Sequence, residues 1–408
     1  MEEWKEYKLG EISDIQTGPF GSQLHKSDYV EEGIPCIMPT NIGQQLDIDV
    51  SNIAHINEID ANRLNRHLVK EGDIIYARRG DIEKCAYISE KENGWFCGTG
   101  CLRLRINENN NPHFIAYYLS TQECKKWIVG NAVGTTMLNL NSSILKELPL
   151  YLPSKKTQSK IASILKSLDD KIENNRKINE NLEQQAQALF KSWFVDFEPF
   201  RDQPFVESEL GMIPEGWRVG TLSEFGTIIC GKTPSKANPD YYDGDYPFIK
   251  IPDMHGNIFP LKHEEYISEI GAQSQPNKLI PPFSLLVSCI ATVGLVSINT
   301  VPSFTNQQIN SIIVNNESSL YYLYLLLSEK TDELQNLGRG GTATLNVNTK
   351  IFSNIKVIIP SDNILILFNE ITSPVFSKIL NNAKESLRLS HLRDTLLPRL
   401  MSGELSVK

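Results

Sequence analysis

Between Thr157 and Phe194 the apolar residues Ile161, Leu165, Leu168, Ile172, Leu182, Ala186, Leu189 and Trp193 recur in steps that place them on one helical face. The sustained period near 3.5 predicts a long helix over Lys155–Phe194 with a coiled-coil seam. Asn175 and Asn179 interrupt that seam. A buried Asn lowers stability but fixes register and partner. A shift of 207 positions carries Ile172 onto Ile379, Asn175 onto Asn382, Leu182 onto Leu389 and Leu189 onto Leu396. The same shift carries Pro153-Ser154 onto Pro360-Ser361, and Gly134-Thr135, Leu138-Asn139 and Asn141 onto Gly341-Thr342, Leu345-Asn346 and Asn348. The chain is therefore an internal duplication.

Taken in order, residues 1–153 read as a strand-rich mixed domain. Short β-type runs at Ile34–Met38, Asp73–Ala77 and Cys101–Ile106 are flanked by Gly, Pro, Asn or Asp. Short helices follow at His113–Leu119 and Gln122–Val129. Residues 154–198 hold the first long helix, on the order of 55–60 Å at 1.5 Å per residue. Residues 199–213 connect, 214–360 repeat the domain, and 361–408 carry the second long helix. Trp217 and Leu222 echo Trp4 and Leu9, and Tyr246–Lys250 echoes Ile34–Met38. Pro374 stands where the first copy has Ser167, and Ser373 is a fit cap. A break or kink is expected there, with a helix from about 374 to 397. The expected fold is α+β: two similar mixed α/β domains separated by two long helices. A pseudo-two-fold between the copies would make the helices antiparallel, with Asn175 and Asn382 near the middle.

Composition narrows the classes. Charged residues are 22% and hydrophobic ones 40%, which is ordinary globular usage. The seven cysteines are scattered and suit free thiols in a reducing cytoplasm. The opening MEEWKEYKLG has no apolar core, so no signal peptide is expected. Leu279–Asn316 is free of charge, but Pro281, Pro282 and Pro302 and many Ser, Thr and Asn make buried strands the expectation and a membrane span a poor reading. A net charge of −9 argues against a binder held to DNA by bulk charge, while leaving room for a reader with local basic residues. No HExxH, paired-ligand or Ser/His/Asp spacing stands out, and Asp169-Asp170 read as helix surface.

Four stretches then carry a resemblance over nearly the whole chain: Trp4 to Ile12, Leu189 to Phe197, Leu210 to Trp217, and Arg393 to Leu405. With the duplication, they resemble the DNA specificity subunits of type I restriction–modification systems. That resemblance implies two target-recognition domains joined by two long helices. It implies double-stranded DNA, two methyltransferase subunits and, in the full complex, restriction subunits as partners. It also implies that S-adenosylmethionine, ATP and magnesium belong to those partners. No cofactor and no catalytic residue is expected in this chain. The competing class is a duplicated scaffold that binds protein or glycan and no nucleic acid.

Candidate DNA contacts follow from residue chemistry. Arg78 and Arg79 end a strand, and an arginine fork suits guanine or phosphate. The alternative is a solvated loop paired with Asp81 or Glu83. Gly134-Thr135 and Gly341-Thr342 recur in both copies, where glycine lets a backbone approach phosphate and Thr can donate to it. A tight turn is the competing reading there, and Arg339 strengthens the DNA reading in the second copy. Gly231–Lys236 lacks P-loop spacing, so nucleotide hydrolysis is excluded; Lys232 and Lys236 suit the DNA backbone, and a plain surface loop is the competing reading. Gly18–Lys26 occupies the matching place in the first copy. Lys125-Lys126, Arg103 and Arg105 read as a solvated face and a strand edge. Finally, Leu189, Phe190, Trp193 and Phe194, with Leu396, Leu397, Leu400 and Met401, make the helix ends apolar nearly all round, which points to a docking partner.

Overall fold

Strands that are buried on both faces anchor each half of the chain. The computed structural model describes residues 4–43, 45–134, 138–339 and 345–407. It divides into two units, Met1–Asp170 with Leu389–Lys408, and Lys171–Arg388.

In the first unit, Asp73–Ala77 is buried at every position. It lies inside an antiparallel sheet ordered Ser13–Thr17, Cys101–Ile106, Asp73–Ala77, Cys85–Tyr87. A second sheet orders Tyr29–Val30, Ala54–Ile56, Ile34–Ile37 and Phe96–Cys97, its last pair parallel. Lys5–Lys8 pairs with Pro149–Leu152. Helices Pro112–Leu119 and Gln122–Asn131 follow, capped by the side chains of Asn111 and Thr121.

The second unit repeats this plan. Its antiparallel sheet is ordered Gly226–Cys230, Ile309–Val314, Leu285–Ser288, Val296–Ile298. A smaller sheet holds Tyr266–Ile267, Tyr242–Ile249 and Phe304–Thr305, the last again parallel. Arg218–Thr221 pairs with Lys356–Ile359. The charge-free Leu279–Asn316 stretch thus becomes buried strands, as its prolines and polar residues implied.

Two helices of 40 residues, Lys155–Phe194 and Asp362–Met401, contribute to both cores. Ile161, Ala162 and Leu165 of the first lie in the core of the first unit, with Leu400 and Met401 of the second. Ala186, Phe190 and Phe194 of the first lie in the core of the second unit, with Leu365, Phe368, Phe376 and Ile379 of the second. Within the second unit the two helices run antiparallel. Asn382 Nδ2 donates to Asn179 Oδ1 at 2.8 Å, and Asn175 Nδ2 donates to Glu385 Oε2 at 2.7 Å. Asn179 Nδ2 donates to the Ile379 carbonyl at 3.1 Å. Asn175 and Asn382 are fully buried, so a slipped register would leave their amides unpaired in an apolar seam.

Of the break or kink expected at Pro374, the break does not occur: the helix is continuous from Asp362 to Met401 and does not begin near residue 374. Proline deprives the Glu370 carbonyl of its helical donor, but Pro374 lies on the exposed face, where water can replace it. On the buried face, Phe376 stacks on Tyr321 with ring centroids 4.3 Å apart, and Thr372 Oγ1 bonds the Phe368 carbonyl at 2.8 Å. Packing on either side of the proline holds the helix through it. We therefore expect Pro374→Ala to raise unfolding stability by about 1–3 kcal/mol, since alanine is the better helix former. Denaturant melts of the two chains check this, and an unchanged or lower midpoint would mean that the proline shapes a bend the fold needs.

Candidate nucleic-acid interface

In the first unit, the end of the buried strand Asp73–Ala77 is tied to two loops. Arg78 N donates to the Gly100 carbonyl at 2.8 Å, and Leu140 N donates to the Arg78 carbonyl at 2.9 Å. Arg79 forms a β-bridge with Asn139, which also bridges Val133. Gly134, with φ +123°, lets the chain turn between those bridge partners. The Gly18 loop joins on the other side. Gly18 N donates to the Cys101 carbonyl at 3.0 Å, and a Cβ on Gly18 would lie 2.2 Å from the Gly98 carbonyl oxygen. Three stretches that the sequence singled out separately, around Gly18, Arg78 and Gly134, therefore meet in one place.

Arg78 is half-buried and Arg79 exposed. Asp81 is taken by Lys84 at 2.8 Å, and among the described residues no carboxylate pairs with Arg78 or Arg79. The solvated-loop alternative assumed such pairing. Arg78 Cζ instead stands 5.7 Å from the ring centroid of Phe20, whose side chain is 56% exposed. Sequence reasoning passed over Phe20; the signal was a lone large apolar residue between Gly18-Pro19 and Gly21.

The second unit keeps the frame and changes the side chains. Cys289 N donates to the Gln308 carbonyl, Val347 N donates to the Cys289 carbonyl, both at 2.8 Å, and Ile290 bridges Asn346. Cys289 and Ile290 thus stand where the first unit has Arg78 and Arg79. A Cβ on Gly231 would lie 2.2 Å from the Asn306 carbonyl oxygen, so Gly231 matches Gly18. Lys232 N donates to the Thr305 carbonyl at 2.9 Å while its side chain stays exposed. Lys236 Nζ lies 3.5 Å from Glu265, which Lys250 also approaches at 3.0 Å. The Lys250 hydrogen bond is the main cause holding the Glu265 carboxyl below its ordinary range. Arg339 is exposed, with Nη1 3.1 Å from Asn336 Oδ1. Thr135, Gly341 and Thr342 lie outside the described residues.

Arg103 and Arg105 are structural. Arg105 makes a two-point contact with the buried carboxylate of Asp73, at 2.8 and 2.6 Å, and Arg103 is buried against Asp14 at 2.7 Å. Lys125 is half-buried and lines a cavity of about 470 Å³ together with Asp169 and Arg393. Asp169 is not simple helix surface. It accepts from the Tyr117 hydroxyl at 2.5 Å and from Arg393 Nη1 at 2.7 Å, tying both long helices to the first domain.

The helix ends need correction. Phe190 and Phe194 are buried in the second core, and Leu400 and Met401 in the first. Leu189, Trp193, Leu396 and Leu397 are half-buried against the same cores. Much of this apolar surface packs inside the chain: Phe194 meets Tyr322 edge-on at 4.8 Å and Trp217 at 5.7 Å, and Phe368 of the second long helix at 4.8 Å. Excess apolarity is explained within the chain and no longer demands a partner. Among the described residues there is no group of three or more His, Cys, Asp or Glu that could hold a metal ion, and no helix long and apolar enough to cross a membrane.

Comparison with known proteins places this geometry among relatives. The sequence model described as "Type I restriction modification DNA specificity domain" matches residues 1–184 and 214–386. The chain is 36% identical to the HindI type I restriction enzyme specificity subunit of Haemophilus influenzae, covering 99% of this chain and 100% of that one. It is 28% identical to the MjaIX specificity subunit of Methanocaldococcus jannaschii, over 100% and 94% of the two chains. The fold is similar to the crystal structure of the type I system S subunit from M. genitalium, with a TM-score of 0.63, 18% identity, and 98% and 96% coverage.

The buried Asp73–Arg105 pair yields a prediction. Asp73→Asn leaves the arginine without its charged partner and should destabilise the first unit by about 1–3 kcal/mol, below the cost of breaking a fully buried pair because Arg105 is partly exposed. Chemical denaturation followed by tryptophan fluorescence measures it. A change below about 0.5 kcal/mol would return Arg105 to the list of free surface cations.

Proposed function

Since the chain belongs to the type I restriction–modification DNA specificity family, we propose that it is the non-catalytic subunit that reads DNA for such a complex. Each domain reads one half of a bipartite duplex sequence. Methyltransferase subunits, and restriction subunits in the full complex, carry the chemistry and its cofactors. The observation that carries this reading is the repeated frame with unlike side chains: Arg78 and Arg79 in one unit, Cys289 and Ile290 in the other. One plan with two chemistries suits two different half-sites. Lys232, Lys236 and Arg339 supply the local cations of the second unit, and Gly134, Thr135, Gly341 and Thr342 let the backbone approach phosphate.

The long helices set the spacing between half-sites, and their half-buried rim residues Leu189, Trp193, Leu396 and Leu397 offer docking contacts to methyltransferase subunits. The recognition domains span residues 1–153 and 214–360, and the segments 154–198 and 361–408 carry the long helices Lys155–Phe194 and Asp362–Met401. The protein acts in the cytoplasm, where its DNA is. A protein- or glycan-binding scaffold has no observation in its favour.

Two experiments test this. The chain should co-purify with its cognate methyltransferase subunits, and sequencing of the methylated sites should give a bipartite, asymmetric motif with a fixed spacer. A complex without a motif, or no complex, would overturn the reading. Inserting one heptad into both long helices adds roughly 10 Å of helix, about three base pairs of duplex. The spacer should change and the half-site sequences stay as they were; an unaltered spacer would sink the role of the helices.

A further inference from the structure

Phe20 is large, apolar and exposed at the tip of a loop whose base is fixed, and nothing in the fold uses it. Its backbone is ordered by local bonds: Gln23 N donates to the Phe20 carbonyl at 2.8 Å, and Phe20 N donates to Gln23 Oε1 at 3.2 Å. The close approach of Gly18 to the Gly98 carbonyl seats this loop against the neighbouring strand end. The ring thus stands beside Arg78 because the backbone holds it there.

We propose that Phe20 and Arg78 form one recognition element that reads a guanine in the half-site bound by the first unit, with Arg79 beside it on the phosphate backbone. This rests on the DNA-reading role proposed above and gives it a site. Three observations carry it. First, the Arg78 side chain is unfinished: it is half-buried, and among the described residues no hydrogen bond or ion pair engages its guanidinium, so its terminal nitrogens are open to solvent while Nε is enclosed. A half-buried guanidinium with open donors suits an acceptor that arrives from outside. Second, it is steadied. The backbone of Arg78 is bonded on both sides, to Gly100 and Leu140, and its Cζ stands at a distance from the Phe20 ring where the π-face attracts a cation. A planar fork held in place matches the O6 and N7 acceptors of guanine in the major groove. Arg79 is exposed with no such support, which suits the less directional contact to phosphate. Third, the element is confined to one unit. On the frame aligned at Gly18 and Gly231, Phe20 falls on Thr233 and Arg78 on Cys289. Thr233 Oγ1 is already bonded to Gln307 Oε1 at 2.7 Å. The second half-site must be read by other means.

The test is methylation-motif sequencing with the full complex of this chain and its methyltransferase subunits. Arg78→Lys keeps the charge and removes the fork. Discrimination at a single G·C pair of one half-site should fall by roughly tenfold or more, with the other half-site unaltered. Phe20→Leu changes an exposed side chain and leaves the core intact. It should relax the same base pair by a smaller factor. Arg79→Ala should weaken binding at all sequences alike and lower the salt slope by about one. The proposal is overturned if the wild-type motif is bipartite but Arg78→Lys and Phe20→Leu both reproduce it, or if the change spreads over both half-sites. A wild type that yields no motif removes the DNA-reading role itself, so the two failures are told apart.

Discussion

The fold depends on each long helix supplying side chains to two hydrophobic cores. The first helix gives Ile161, Ala162 and Leu165 to one core and Ala186, Phe190 and Phe194 to the other. The second helix reverses the order, with Leu365, Phe368 and Phe376 first and Leu400 and Met401 last. Neither domain core is complete without both helices. Burying a phenylalanine or leucine contributes about 1.5–3 kcal/mol, so losing one helix end costs a core far more than any surface contact could restore. The Asn175, Asn179 and Asn382 amides act on specificity. They lower stability relative to an apolar seam and penalise every register but one.

Much of this was legible because duplication makes a sequence its own control. The 207-position shift located both long helices without any structure. The charge-free stretch after Leu279 read correctly as strands because prolines and small polar residues do not suit a spanning helix. Local rules failed where tertiary packing overrode them. Pro374 signals a break in isolation, but Phe376 on Tyr321 and a solvent-facing ring keep the helix whole. The helix ends read as exposed all round because a linear pattern cannot show that Phe190, Phe194, Leu400 and Met401 are buried by the chain's own cores. Asp169 looked like surface because its partners, Tyr117 and Arg393, are 52 and 224 residues away in sequence.

At the candidate interface, the sequence offered cationic and glycine-rich stretches one at a time. What it lacked was their meeting point, which depends on Arg78 N donating to the Gly100 carbonyl and Leu140 N donating to the Arg78 carbonyl. The frame is common to both units and the side chains on it are not. Conserved backbone with variable side chains is how one fold carries unrelated specificities. A net charge of −9 is compatible with the proposed reading, because it needs only a few well-placed cations and not a basic chain.

The central claim is that the two domains read separate half-sites by independent chemistry. Its most direct test is to replace residues 214–360 with the corresponding domain of a relative and sequence the sites methylated by the reconstituted complex. The account predicts a motif in which one half-site is new, and the other half-site and the spacer are those of the parent. A motif altered in both halves, or in neither, would contradict it.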